Sequence, residues 1–140
     1  MKDLSFQKNP LSLLIGFKFK FKLKDPMKEI LYEVDGKVGI ITINRPTKAN
    51  AANIEMLEKI YSHLIEADKD EEVKCIIIRS TGERFFSAGY DLKEVAGDPE
   101  NVKRITKWGR KVNETILFLK KPVITQIQGV AIGFGVLLIV

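Results

Sequence analysis

"VKCIIIRSTGERFFSAGYDL", residues 73–92, decides the fold. It opens on a short apolar, β-branched run, "VKCIIIRS", of the kind that forms a strand buried on both faces. The run breaks at "TGERFFSAGYDLKEV", which reads as a loop entering a short helical turn. The pattern recurs at "KKPVITQIQGVAIGFG", residues 120–135, where a strand again leads into glycine and small residues. Loops at the carboxyl ends of parallel strands are where sites are built. Small residues beside glycine let the backbone approach a ligand closely. Two backbone N–H groups converging from such turns would stabilise a negatively charged oxygen. Spacing alone serves equally well for chains that simply turn tightly.

Outward from these loops the elements alternate. Residues 30–34 and 38–43 are two β-rich runs joined by "DGK", and Asp35-Gly36 signals a hairpin. "NRPTKANA" is a loop by its Asn, Pro and small residues. A helix is predicted from about Asn53 to Asp68, with Leu57, Ile60, Tyr61, Leu64 and Ile65 on one face. Asp98-Pro99 reads as an N-cap followed by proline at the first helical position. The stripe Ile105, Trp108, Val112, Ile116, Leu119 then carries a second helix to Lys121, where Pro122 stops it. The order ββ-α-β-α-β-(α) predicts an α/β fold with mostly parallel strands.

The chain has 140 residues, 45% of them hydrophobic and 29% charged, which is the composition of one globular domain rather than disorder. Its formal net charge of +5 suggests a nucleic-acid partner until the distribution is read. Six lysines and two aspartates in residues 1–26 contribute +4, leaving +1 for the rest, so no nucleic-acid role is expected of the body. Residues 17–24, "FKFKFKLK", alternate with period two. The apolar stretch before them is too short to span a membrane and lacks a cleavage site. This basic leader reads either as an arm for an anionic surface or as a segment outside the fold. The second reading is preferred, with translation starting at Met27 and the domain comprising residues 27–140. One cysteine, Cys75, and one histidine, His63, exclude an internal disulfide and any His/Cys metal cluster. Cys75 is expected to pack in the core, His63 to be solvated, and the location to be cytoplasmic. No metal or cofactor is called for.

"NRPTKANAAN", "FFSAGYDLKE" and "KKPVITQIQGVAIGFG" occur in that order. Together they resemble the N-terminal portion of the crotonase superfamily, the enoyl-CoA hydratase/isomerase family, from Glu29 to Val140. The resemblance implies the ClpP/crotonase-type ββα spiral, incomplete at the C-terminus. It implies an acyl-CoA thioester as the ligand. By the same resemblance, the backbone N–H groups of Tyr90 and Phe134 form an oxyanion hole. Lys48, Ala49, Ala88, Gly89, Asp91, Leu92 and Gly133 would line the path of CoA and the acyl group. The family forms homotrimers and hexamers.

The sequence also departs from the family's hydratase branch. That branch carries three glycines followed by a glutamate. In this chain the cluster is Gly133-Phe134-Gly135, and Leu137 stands where the glutamate would be. Leucine cannot move a proton, so hydration is not expected. The pattern is nearer the enoyl-CoA isomerase branch and its non-catalytic acyl-CoA-binding relatives. No catalytic carboxylate is identified by resemblance; Asp91 belongs to the CoA loop. A chain ending in the apolar run of residues 136–140 is expected to be a truncated product, aggregation-prone and inactive alone, because those side chains would lack a partner layer.

Overall fold

A computed structural model describes residues 28–139. The leader, residues 1–26, with the alternation it contains, lies outside the described residues, as does Val140.

The first hairpin forms as its sequence requires. Strand β1 (Ile30–Asp35) pairs antiparallel with β2 (Val38–Ile43), from Ile30 opposite Ile43 to Asp35 opposite Val38. Only Gly36 and Lys37 connect them, and Gly36 takes φ +56° at the first turn position, as in a type II′ turn. A short 3₁₀ turn (Pro46–Lys48) follows, then helix α1 (Ile54–Lys69). The Asn53 side chain caps α1 by accepting from the Met56 N–H at 2.8 Å. Strand β3 (Cys75–Ser80) runs parallel to β2, and β5 (Val123–Thr125) runs parallel to β3, so the sheet order is β1-β2-β3-β5.

Between β3 and β5 lie β4 (Phe85–Ser87), the short helix α2 (Leu92–Val95) and α3 (Pro99–Phe118). Asp98 caps α3 through the N–H groups of Glu100 and Asn101, with Pro99 in the first turn. The helix stops at Phe118, before the Lys121 expected from its stripe, because the next residues serve α1 instead. The Lys120 N–H donates to the Asp68 carboxylate, and Lys121 Nζ donates to the carbonyls of Ala67 and Asp70. A cation thus meets the carbonyl end of α1, where helix termini favour positive charge. Strand β6 (Val130–Ala131) pairs parallel with β4 in a second, two-stranded sheet, and one helical turn, α4 (Phe134–Leu137), ends the described chain.

Helices α1 and α3 pack together, and one core joins Ile41, Ile76 and Ile78 of the sheet to Leu57, Ile60 and Leu64 of α1 and Ile105, Val112 and Ile116 of α3. Three expectations change. First, β3 is fully buried on one face only. Ile76 and Ile78 are inaccessible, whereas Cys75 and Ile77 point the other way and stay partly open. Second, His63 is not simply solvated. Its ring stacks on Tyr32 of β1 at 5.0 Å, and its Nδ1 lies 2.9 Å from Glu66. Third, the apolar end of the chain is not wholly without a partner layer. Leu138 is inaccessible within the core and its carbonyl accepts from the Thr125 hydroxyl, while Val136, Leu137 and Ile139 remain about half exposed. Among the described residues, no helix is long and apolar enough to cross a membrane.

Candidate functional site

The two glycine turns leave adjacent strands in the same direction. β4 runs into Ala88-Gly89-Tyr90-Asp91, and β6 runs into Ile132-Gly133-Phe134. Gly89 has φ +94° and Gly133 φ +54°, in the region that favours glycine. A β-carbon on Gly89 would lie 3.0 Å from the Ile132 carbonyl oxygen and 3.4 Å from the Phe134 nitrogen, so the turns touch through a bare Cα. Ile132 N–H donates to the Ser87 carbonyl at 2.9 Å, and a β-carbon on Gly135 would stand 2.6 Å from that same oxygen. The rings of Tyr90 and Phe134 stack, with centroids 5.1 Å apart and planes within 18°. Burial pushes the Tyr90 phenol above its ordinary value, so it is neutral at neutral pH.

Most backbone donors around these turns are engaged. Ala88 N–H donates to the Ala49 carbonyl, Gly89 N–H to the Ser87 hydroxyl, and Asp91 N–H to the Ala52 carbonyl. Gly135 N–H and Val136 N–H donate to Ile132 and Gly133. The N–H groups of Tyr90 and Phe134 make no hydrogen bond among the described residues. Phe134 opens α4, a single turn in which few peptide dipoles align.

A third loop clamps the first turn. Ala49 and Asn50 both adopt left-handed backbone, at φ +51° and +54°. Buried Asn50 uses its whole amide. Its Oδ1 accepts from the Arg45 N–H at 2.9 Å, and its Nδ2 donates to the carbonyls of Thr81 and Phe85 at 2.8 and 2.9 Å. The buried Ser87 hydroxyl donates to the Asn50 carbonyl at 2.9 Å and accepts from Gly89. Asp91 caps α2 through the Lys93 N–H and pairs with Arg45 at 2.6 Å, and Arg45 also pairs with Glu29 at 2.7 Å. Burial pushes the Asp91 carboxyl upward. The hydrogen bonds from Arg45 and Lys93 and the charges of Arg45 and Lys48 outweigh it and hold the pKa below the ordinary carboxylate value.

Of the residues singled out in the sequence, Ala49, Ala88, Gly89, Tyr90, Asp91, Gly133 and Phe134 are thus brought together. Lys48 is exposed at the end of the 3₁₀ turn, near enough to act on the Asp91 charge, and Leu92 is 77% exposed on α2. An open cleft of about 400 Å³ adjoins Ala49, lined also by Pro46, Thr81 and Arg84. Arg45, Asn50 and Ser87 were not anticipated. Asn50 alone had a local signal, since asparagine tolerates left-handed backbone. The Asp91 partner of Arg45 and the Asn50 carbonyl that accepts from Ser87 lie 46 and 37 residues away.

Fold and site together define an α/β protein whose short parallel strands present two facing backbone turns. Residues 38–140 match the model of the enoyl-CoA hydratase/isomerase family, and the chain belongs to that family, the crotonase superfamily. It is 38% identical over 112 residues to a mitochondrial 3-hydroxyisobutyryl-CoA hydrolase of Danio rerio, covering 77% of this chain and 29% of that protein. It is 34% identical to a short-chain-enoyl-CoA hydratase of Clostridium acetobutylicum, covering 78% and 42% of the two chains. It is 36% identical to a trans-2-decenoyl-[acyl-carrier-protein] isomerase of Streptococcus mutans, covering 76% and 42%. The chain therefore spans less than half the length of these relatives. The crystal structure of an enoyl-CoA hydratase from Bacillus anthracis superposes with a TM-score of 0.75 at 32% identity, over 79% of this chain and 44% of that one.

Proposed function

We propose that this chain binds acyl-CoA thioesters, with the thioester oxygen accepting hydrogen bonds from the N–H groups of Tyr90 and Phe134. The observation that carries the reading is that the N–H groups of Tyr90 and Phe134 are unused on two turns in contact, while those of Ala88, Gly89, Asp91, Gly135 and Val136 around them are engaged. A thioester carbonyl gains negative charge when a proton leaves the adjacent carbon, because the electron pair moves onto oxygen as an enolate. Donors fixed beforehand stabilise that oxygen without reorganising, and losing one typically costs roughly 3–4 kcal/mol of barrier. Double-bond isomerisation, in which the proton returns at a different carbon, is the reaction proposed for the whole protein. The S. mutans relative supports it by name. Ala49, Ala88, Gly89, Asp91, Leu92 and Gly133 would line the ligand's path, and Lys48 would face its phosphates. The cleft beside Ala49 gives the nucleotide end room.

A second reading keeps the same donors and changes the nucleophile. The D. rerio relative is named as a CoA-thioester hydrolase. There, water adds to the thioester carbon, the oxygen becomes a tetrahedral oxyanion, and the CoA thiolate leaves. Isothermal titration with a saturated acyl-CoA and with free CoA tests the binding claim. Tighter binding of the thioester is expected, and equal affinities would remove the oxyanion argument. Thiol release separates hydrolysis from isomerisation, which releases none. Binding with neither reaction would identify a non-catalytic acyl-CoA module.

A further inference from the structure

Gly109 lies in the interior of α3, where glycine is destabilising relative to alanine. Its surroundings explain its presence. A β-carbon there would overlap the Tyr90 hydroxyl oxygen and lie 2.9 Å from Cζ and 3.0 Å from Cε1. The phenol of Tyr90 thus rests on the bare helix backbone, in contact with the Phe134 ring. Tyr90 and Phe134 both also carry unused N–H groups on the facing turns. One ring stack therefore ties both donor residues to each other and to α3.

We infer that Gly109 is a positioning residue: by seating the Tyr90 ring against Phe134, it sets the spacing of the two backbone donors. The inference rests on the thioester reading above for its functional meaning, but its geometry stands apart from it. A tyrosine side chain has two rotatable bonds and this one sits between an aromatic ring and a helix. A methyl group at residue 109 would stand 2.0 Å from the Tyr90 hydroxyl oxygen, so the ring must tilt away from the helix. That tilt disturbs its stack on Phe134 or moves the 88–91 turn. The clash falls on the far end of a side chain, so the helix itself is not broken.

The experiment compares wild type, Gly109→Ala, Tyr90→Ala and the double variant, each as the full chain. The readouts are the ratio of affinities for a saturated acyl-CoA and free CoA, the melting temperature, and the amide resonances of residues 90 and 134. Gly109→Ala is expected to shift both amides and to lower the acyl-CoA preference by up to about tenfold, the scale of one hydrogen bond. Affinity for free CoA should hold. In the Tyr90→Ala background the same substitution should leave the Phe134 amide and the preference unchanged. There it should raise the melting temperature, because alanine is the better helix former. That non-additivity is the signature of the ring contact. Unmoved amides in Gly109→Ala, or equal effects in both backgrounds, would overturn the inference. Coupled amides in a wild type that does not prefer the thioester would overturn the oxyanion reading and leave the positioning intact.

Discussion

Replacing Asn50 by alanine tests the clamp beneath the candidate site. The side chain is buried and makes three hydrogen bonds, to the Arg45 N–H and to the carbonyls of Thr81 and Phe85. A typical net value is about 1 kcal/mol each, so their loss costs about 3 kcal/mol. Asn50 also sits at φ +54°, which asparagine tolerates better than alanine, adding up to about 1 kcal/mol. A total of about 3–4 kcal/mol is a large share of the roughly 5–15 kcal/mol that holds a domain together. For a domain of this size it lowers the melting temperature by about 10–15 °C. Asn50→Asp should be worse than alanine, because a carboxylate oxygen would then face two carbonyl oxygens. Asn50→Gly should sit between wild type and alanine, since it loses the bonds and keeps the backbone. Thermal unfolding followed by circular dichroism reads all three. An alanine variant melting within about 3 °C of wild type, or an aspartate variant as stable as wild type, would show that this amide does not hold the loops.

Arg45→Ala removes the partner of Asp91 and should cost about 2 kcal/mol at neutral pH. Because the folded-state pKa of Asp91 is lowered, its contribution is complete above about pH 4 and is lost as pH falls through the folded value. The stability difference between wild type and variant should therefore shrink in acid, and a difference that grows there would contradict the ion pair. Gly135→Ala should lower stability by about 1–3 kcal/mol through overpacking, since its β-carbon would meet the Ser87 carbonyl and separate the two turns; unchanged denaturant midpoints would refute this. Crotonyl-CoA should not be hydrated, given Leu137 after the glycine cluster; steady loss of the enoyl-thioester absorbance with water as the only co-substrate would sink that expectation.

What the sequence made legible was local. The turn at Gly36, the Asp98 cap and the α1 stripe each depend on residues within a few positions, and each forms as read. The second sheet was not legible, because strands of three and two residues are too short to display a period of two. The one-sided burial of β3 depends on where α1 and α3 pack, which an apolar run does not encode. The same limit applies to the site. Glycine-rich turns announce themselves by composition, and the family motifs add the names Tyr90 and Phe134. That their rings would stack, and that one would lie on Gly109, required two turns and a helix to be brought together by the sheet.

Asp91 marks the boundary between holding the site and performing chemistry. A general base works best with a pKa near the working pH and with its lone pairs free for substrate. Asp91 has neither property. Its pKa is held below the ordinary value, one oxygen accepts from the Arg45 guanidinium at 2.6 Å, and the other caps α2 through Lys93 N–H at 3.0 Å. Freeing it would unfasten the loop that presents Tyr90. Arg45 is equally committed, to Asp91, Glu29 and the Ala51 carbonyl. Asp91 and Arg45 are thus braces, and the turns offer uncharged N–H groups. Such an arrangement is suited to stabilising charge that develops on a ligand's oxygen and poorly suited to carrying a proton. In the proposed reaction, proton transfer therefore falls to a group other than Asp91.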